Sequence, residues 1–187
     1  MLIRSRAILI TLFCMHFLGA CKKDNSSNLN STSTDYYIKF TLDATDMLFV
    51  NNAEGNMNVI DGSGKYTFTA AALKIPFVAA TNNATLIISS AKEIKTNIVY
   101  VNYATTTTGY ERPAYATVAY IDAAGTTFAS WGDEYKNSGV ISDSKITFTE
   151  ITATNLKGTF SGTIYKSISG TADKHLMSKG EFNLKRR

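Results

Sequence analysis

Apolar side chains recur at every second position in several stretches of the chain, and this alternation restricts the fold more than any other feature. In residues 36–43 the apolar members of the alternation are Tyr36, Ile38, Phe40 and Leu42. A period of two places successive side chains on opposite faces of a β-strand, whereas a helix needs a period near 3.6. The same alternation recurs at Ile146 and Phe148 and at Phe182 and Leu184. The sequence therefore predicts half-buried β-strands.

Three further runs are apolar at consecutive positions, and they cover residues 86–88, 98–103 and 115–121. Such runs are rich in β-branched and aromatic residues, and they predict inner strands that are covered on both faces. Only residues 70–73 favour a helix locally, and Pro76 limits that helix to about one turn.

Turn-forming residues separate these runs at short intervals. They occur at residues 61–64, 82–83, 122–125 and 155–158, where Asp, Asn and Gly tolerate positive φ. Many short strands joined by tight turns predict an all-β fold with antiparallel sheets. We expect residues 36–187 to form a single all-β domain, an antiparallel β-sandwich, with a closed β-barrel as the alternative.

The N-terminal residues 1–20 have the features of a processing signal. Arg4 and Arg6 precede an apolar stretch at residues 7–17 that is too short to span a bilayer as a helix. The sequence Leu-Gly-Ala-Cys at 18–21 follows, and it resembles the lipobox of bacterial lipoproteins. In that family the cysteine is acylated and becomes the first residue of the mature chain.

The lipobox resemblance implies a signal peptide at residues 1–20 and a lipid on Cys21, with the membrane as a partner. It also implies a location in the cell envelope, at the outer membrane, with the periplasmic or surface face left open. The alternative is an ordinary secretory signal cut at Ala20 or beyond, which would leave Cys21 as a free thiol in an oxidising compartment.

Processing would lower the net positive charge of the chain and remove one of its two cysteines. Loss of Arg4 and Arg6 lowers the formal net charge of +4 to +2, and Cys14 and His16 also leave with the signal. Such a charge, without a clustered basic stripe, predicts no nucleic-acid partner. The lipidated Cys21 is followed by polar residues 22–35, which we expect to form a flexible tether.

The C-terminal third resembles the closing strands of small Bacteroidetes all-β lipoproteins of unknown function. The likeness rests on residues 146–151, on the Gly-Thr-Phe strand at residues 157–164 and on the Gly-x-Phe strand at residues 178–184. It covers about forty residues and implies an all-β fold and an envelope location. The family brings no activity with it.

Catalytic and metal-binding patterns are sparse. A Ser-His-Asp arrangement would have to use His175, the only histidine after residue 20. Residues 43–46 and 61–64 are weak calcium candidates and fit plain turns better. No metal site, cofactor or catalytic residue is therefore predicted. Carboxylates that a glycosidase would pair occur without a spacing that selects two of them, at Glu111, Asp133, Glu134 and Glu150.

Aromatic and basic residues in two loop-like segments form the candidate ligand-binding site: Tyr110 and Arg112 in one, Trp131 and Tyr135 in the other. The alternative is that Trp131 caps one end of the core. The expected function is a non-enzymatic, lipid-anchored envelope module that binds or assembles with a glycan, peptide or protein. A small hydrolase using acidic residues, or a carrier of a small lipophilic ligand, are the other hypotheses.

Overall fold

Strands account for most of the chain that the structure describes. The computed structural model describes residues 36–74, 81–102, 114–167 and 170–187. The predicted signal peptide and tether lie outside these ranges, so the boundaries at residues 20 and 35 stay predictions. Within the described ranges there are eleven strands and one 3-10 helix: β1 (Tyr37–Leu42), β2 (Thr45–Phe49), β3 (Asn51–Ile60), β4 (Tyr66–Leu73), β5 (Asn83–Ser90), β6 (Val99–Val101), β7 (Ala114–Ile121), β8 (Thr127–Ala129), the helix Asp133–Ser138, β9 (Lys145–Ile151), β10 (Asn155–Ser167) and β11 (Gly170–Arg186).

The strands pair in the order β2-β1-β11-β3-β4-β5-β7-β8-β10-β9-β6, and β11 also pairs with β10. All of these pairs are antiparallel except β3 with β11, where Lys185 faces Glu54 and Arg186 faces Gly55. Two of the pairings are narrow: β8 meets β10 through one residue pair, Ala129 with Tyr165, and β3 meets β11 through two. The fold is therefore sandwich-like and not a clean barrel, which confirms the predicted fold class.

Aromatic rings from the two layers meet in one hydrophobic core. Phe68 of β4 packs edge-to-face on Phe148 of β9, with ring centroids 4.9 Å apart. Phe40 of β1 meets Tyr120 of β7 at 6.1 Å in the same way. The alternating positions predicted to face inward at Ile38, Phe40, Ile146, Phe148, Phe182 and Leu184 are all buried.

Two glycines of the long β10–β11 hairpin each lie opposite a phenylalanine. Gly158 faces Phe182, and Phe160 faces Gly180, so the two Gly-x-Phe segments form reciprocal pairs. A Cβ added at Gly158 would lie 2.1 Å from the carbonyl oxygen of Thr147 and 2.5 Å from Cζ of Phe182. Each ring therefore occupies the space that a side chain on the opposite glycine would need.

Three sequence expectations are wrong. Residues 70–73, expected to favour a helix, belong to β4, because β3 and β5 pair with this segment on both sides. Residues 155–158, expected to be a turn, begin β10, and the turn lies earlier, where Asn155 N donates to Oγ1 of Thr152 at 2.9 Å. The apolar run 86–88 is not covered on both faces, since Ile87 is 37% exposed.

The run 115–121 is also covered on one face only, whereas the run 98–103 has the consecutive residues Tyr100, Val101 and Asn102 buried and is covered on both faces there. In β7 the buried residues Ala116, Val118 and Tyr120 alternate with half-buried ones. Ile98 and Val99, at the start of the third run, are 46% and 55% exposed. The outer faces of β5 and β7 are open, so consecutive apolar residues in these two strands do not indicate double coverage.

Two of the predicted turns use an aspartate in the same way. The carboxylate of Asp61 accepts hydrogen bonds from the backbone N–H of Ser63 and Lys65, and that of Asp122 accepts them from Ala124 and Thr126. A glycine with left-handed φ follows at position 64 and at position 125. Both hairpin turns are confirmed.

Candidate functional site

The segment between β8 and β9, residues 130–144, carries two of the four predicted ligand-binding residues; we name it the Trp131 loop. The rings of Trp131 and Tyr135 pack edge-to-face with centroids 5.4 Å apart, and both residues are half-buried. Tyr110 and Arg112 lie outside the described residues, as does Cys21. The structure therefore brings together Trp131 and Tyr135 only.

A short 3-10 helix, Asp133–Ser138, presents Tyr135 beside Trp131. Glycines flank it: Gly132 is extended, and Gly139 has a left-handed φ of 82°. Tyr135 N donates to the carbonyl of Gly132 at 3.1 Å, and Gly139 N donates to that of Lys136 at 3.0 Å. Because glycine has no Cβ and adopts left-handed φ readily, Gly139 lets the chain leave the helix abruptly.

Buried polar side chains hold the Trp131 end of the loop. Asn102, directly after β6, donates from Nδ2 to the carbonyl of Trp131 at 2.7 Å, and Ser142 Oγ donates to the same oxygen at 3.1 Å. The Oδ1 atom of Asn102 accepts from Ser144 N, and Ser144 Oγ donates to the carbonyl of Ala116 at 2.8 Å. Asn102 and Ser144 are fully buried, so these bonds are shielded from water.

The other end of the loop is bonded to β10. The Asp143 carboxylate accepts from Thr163 N at 2.6 Å and from Thr163 Oγ1 at 2.9 Å. Ile141 N donates to the hydroxyl of the buried Tyr165 at 2.8 Å. A Cβ at Gly162 would lie 2.8 Å from that of Ser144, so this glycine allows the loop to approach the strand closely.

Nothing in the sequence patterns indicated the anchors Asn102, Asp143 and Ser144. Their roles depend on contacts across 20 to 42 positions of the chain. Asn, Asp and Ser are ordinary loop residues, so their composition carries no signal. Their buried hydrogen bonds become visible only when β6, β7 and β10 converge.

Replacing Asp143 with alanine is expected to lower the free energy of unfolding by about 1–3 kcal/mol, because a buried N–H and a hydroxyl of Thr163 lose their acceptors. Denaturant titration measures the loss. Trp131 is the only tryptophan, so its fluorescence should also shift to longer wavelength as the loop loosens. The matched variant Asp143→Asn keeps one oxygen and should lose less. Equal losses for both variants would contradict this account.

The indole nitrogen of Trp131 is buried, and within the described ranges it has no hydrogen-bond partner. The residue as a whole is only partly buried, so it is neither a free surface ring nor a core residue. Both hypotheses for Trp131, a contact for a ligand and a cap on the core, are compatible with this position.

Of the four carboxylates considered for hydrolysis, Glu150 has well-defined local hydrogen bonds. Glu150 accepts from Nδ2 of Asn155 at 2.8 Å and pairs with Lys157 Nζ at 3.0 Å, and these bonds hold the pKa of Glu150 below its usual value. An acid catalyst needs a pKa that is raised. Asp133 and Glu134 lie together in the first turn of the short helix, and Glu111 lies outside the described residues.

His175 pairs with Asp43, where β11 passes the β1–β2 turn. Its Nδ1 lies 2.7 Å from Oδ2 of Asp43, and its ring packs edge-to-face on Phe128 at 4.8 Å. The Oδ1 atom of Asp43 accepts from Leu176 N at 2.9 Å. The hydrogen bond from His175, followed by that from Leu176, lowers the pKa of Asp43.

The lowered pKa of Asp43 predicts a pH-dependent contribution to stability. This contribution is present above the ordinary pKa of 3.8 and is lost as the pH falls through the lower folded-state pKa. Asp43→Asn should therefore destabilise the protein at neutral pH, with a difference from wild type that shrinks in acid. Asparagine also suits the left-handed backbone at this residue, φ 55°.

Unfolding curves of Asp43→Asn and wild type between about pH 7 and about pH 2 test this linkage. Asp173→Asn, at an exposed position of β11, is the control and should show a small difference throughout. A difference for Asp43→Asn that stays constant across this range would contradict the assignment.

The weak calcium candidates do not converge on a common point. The Asp61 carboxylate bonds within its own turn, Asp43 bonds to β11, and Oδ1 of Asp46 accepts from Thr41 Oγ1 at 2.8 Å. Among the residues that the structure describes, no group of three or more His, Cys, Asp or Glu side chains is arranged to hold a metal ion.

No helix in the described part of the chain is long and apolar enough to cross a membrane. A scan against protein-family models gives no match, and a search of curated proteins and of solved structures also finds nothing significantly similar to this chain.

Proposed function

We propose that this protein is a non-enzymatic recognition module of the cell envelope, held to the membrane by lipid on Cys21, which contacts a glycan, peptide or protein through the Trp131 loop. The observation that supports the proposal is the edge-to-face pair of Trp131 and Tyr135 on a loop that buried hydrogen bonds fix at both ends.

A fixed aromatic pair suits recognition for a thermodynamic reason. Binding orders side chains and loops, and this ordering reduces affinity unless the site is already held in its bound conformation. The bonds from Asn102, Ser142 and Asp143 hold the Trp131 loop before any partner arrives. Trp and Tyr then offer a large contact area with a polar tip.

The two alternative functions have less support. A hydrolase that uses acidic residues needs a carboxyl with a raised pKa, whereas the pKa values of Asp43, Asp61 and Glu150 are lowered by their hydrogen bonds. A carrier needs an open lumen, whereas one cluster of apolar side chains fills the space between the two layers.

Photo-crosslinking in the native host tests the role of the Trp131 loop. A photoreactive phenylalanine analogue at position 135 should give a crosslinked product on intact cells, and Trp131→Ala in the same chain should abolish it. The analogue at Ser63, in the exposed β3–β4 turn, is the matched control and should give none. Equal crosslinking from both positions, or no effect of Trp131→Ala, would refute the proposal.

The lipid anchor is tested separately by growing the host with a clickable fatty acid and measuring the intact mass of the protein. Wild type and Cys14→Ala should carry the lipid, because residue 14 lies in the segment that processing removes. Cys21→Ala should carry none. An unlabelled wild-type protein cut at another residue would overturn the anchor without bearing on the Trp131 loop.

A further inference from the structure

The outer face of β3, β4 and β5 contains an open depression of about 430 Å³. Its lining includes the short side chain of Ala71, an exposed residue of β4 that pairs with Glu54 of β3. Longer side chains stand around it, among them Asn56 and Ile87. The volume lies within the range typical of small-molecule sites.

Four polar side chains that line this depression have no hydrogen bond to any described residue: Asn52, Asn56, Thr69 and Thr85. Their neighbours on the same strands are engaged. Asn51 donates to the carbonyl of Lys74, Asn58 bonds to both backbone groups of Ile94, and Thr67 donates to the carbonyl of Val59. The polar side chains that line the depression are therefore available to a ligand.

Asn52 reaches the depression through an irregular backbone. Its φ is +52°, and the register of β3 against β4 shifts between Asn51 and Glu54. A bulge of this kind redirects a side chain, and bulges are frequent beside functional sites. The second bulge of β3, at Asn58, is explained by the bonds to Ile94, whereas the one at Asn52 has no such internal use.

The charges of the depression cancel. Arg187 is positioned by a bond from its backbone N–H to the carbonyl of Gly55 at 3.0 Å, and its guanidinium contacts the carboxylate of Glu54. These two are the charged side chains among the lining residues.

We propose that this depression binds a neutral saccharide. Asparagine amides and threonine hydroxyls both donate and accept hydrogen bonds, as sugar hydroxyls do. Ile87, which is 37% exposed, and Ala71 offer an apolar surface for the C–H face of a sugar ring. A peptide strand has no place here, because β4 is already paired on both sides and its backbone groups are occupied.

Saturation-transfer NMR on the full chain, in a detergent without a sugar headgroup, tests the proposal. The probes are glucose, galactose, mannose, N-acetylglucosamine and lactose, with sialyllactose as the anionic counterpart of lactose. At least one neutral probe should bind with a dissociation constant of about 1 mM or tighter, and sialyllactose should bind no better than lactose. Binding by none of the neutral probes, or a preference for sialyllactose, overturns the proposal.

Variants locate the binding site. The double substitution Asn56→Ala with Thr85→Val should weaken binding of the best neutral probe about tenfold or more. Thr117→Val, on the same outer face but outside the depression, is the control and should leave it unchanged. All three replacements are on an outer face, so unfolding curves should stay close to wild type.

Comparison with Trp131→Ala distinguishes saccharide binding in the depression from binding at the Trp131 loop. Binding that survives in the double variant but is lost in Trp131→Ala would overturn the site in the depression and favour the loop. Loss in the double variant with no effect of Trp131→Ala supports the depression, whatever the crosslinking experiment shows for the loop.

Discussion

Replacing Gly158 with alanine is expected to destabilise the protein by about 3 kcal/mol or more, a large part of the 5–15 kcal/mol by which most domains are stable. The new Cβ would lie 2.1 Å from a backbone oxygen, that of Thr147, and 2.5 Å from Cζ of Phe182. A backbone oxygen inside a paired strand cannot move without breaking the ladder. The ring of Phe182 cannot rotate away either, because Phe68, Phe148 and Phe160 surround it.

Denaturant titration of Gly158→Ala, or its yield as folded protein where it does not fold, measures the effect. Gly62→Ala is the matched control, since a Cβ there meets no atom within 4 Å and the backbone is not left-handed. The control should change stability by about 0.5 kcal/mol or less. Similar losses for the two variants would show that steric contact at Gly158 is not the cause.

Truncating Phe182 to alanine is expected to cost about 3–5 kcal/mol, the range for large aromatic residues in a core. Phe182 is 2% exposed, and its ring lies 5.3 Å from that of Phe148 and 6.1 Å from that of Phe68. Removing it leaves a cavity between the two layers. Tyr37→Ala, at a half-buried position of β1, is the control and should cost about 1 kcal/mol or less.

A double-mutant cycle tests whether the ring and the glycine depend on each other. Two of the three nearest contacts of a Cβ at Gly158 are with Phe182, at Cζ and Cε1. Gly158→Ala should therefore cost less in the Phe182→Ala background than in wild type, although the contact with Thr147 remains. Additive losses would show that the two residues act independently.

The candidate site could be predicted only in part from the sequence. The sequence indicates Trp131 and Tyr135 because loops on a β scaffold often carry function and because Trp and Tyr rings can stack on flat partners. Trp131 and Tyr135 are four positions apart, but their edge-to-face packing depends on the short helix between them. The hydrogen bonds of Asn102 to Trp131 and of Thr163 to Asp143 could not be predicted, because they join parts of the chain that are 20 or more positions apart. No sequence pattern indicates the depression that Asn52 and Thr85 line.

The turn predictions show the limit of local patterns most clearly. Asp61 and Asp122 form the predicted turns because each carboxylate bonds to backbone within four residues, which is a local property. The residues Asn155 to Gly158 have a similar composition, yet they begin β10. Gly158 leaves room for the ring of Phe182, which lies opposite it. Phe182 is more than twenty positions further along the chain, so local composition does not reveal this contact.

The sequence by itself determined the all-β class, the inward faces of β1, β9 and β11 and the two aspartate turns, because alternation and turn chemistry act over a few residues. Only the tertiary structure decided that residues 70–73 form a strand, that outer faces stay open and that Asn52, Thr69 and Thr85 share one depression. The physical reason is that strand pairing joins distant segments, and their register decides which side chains meet.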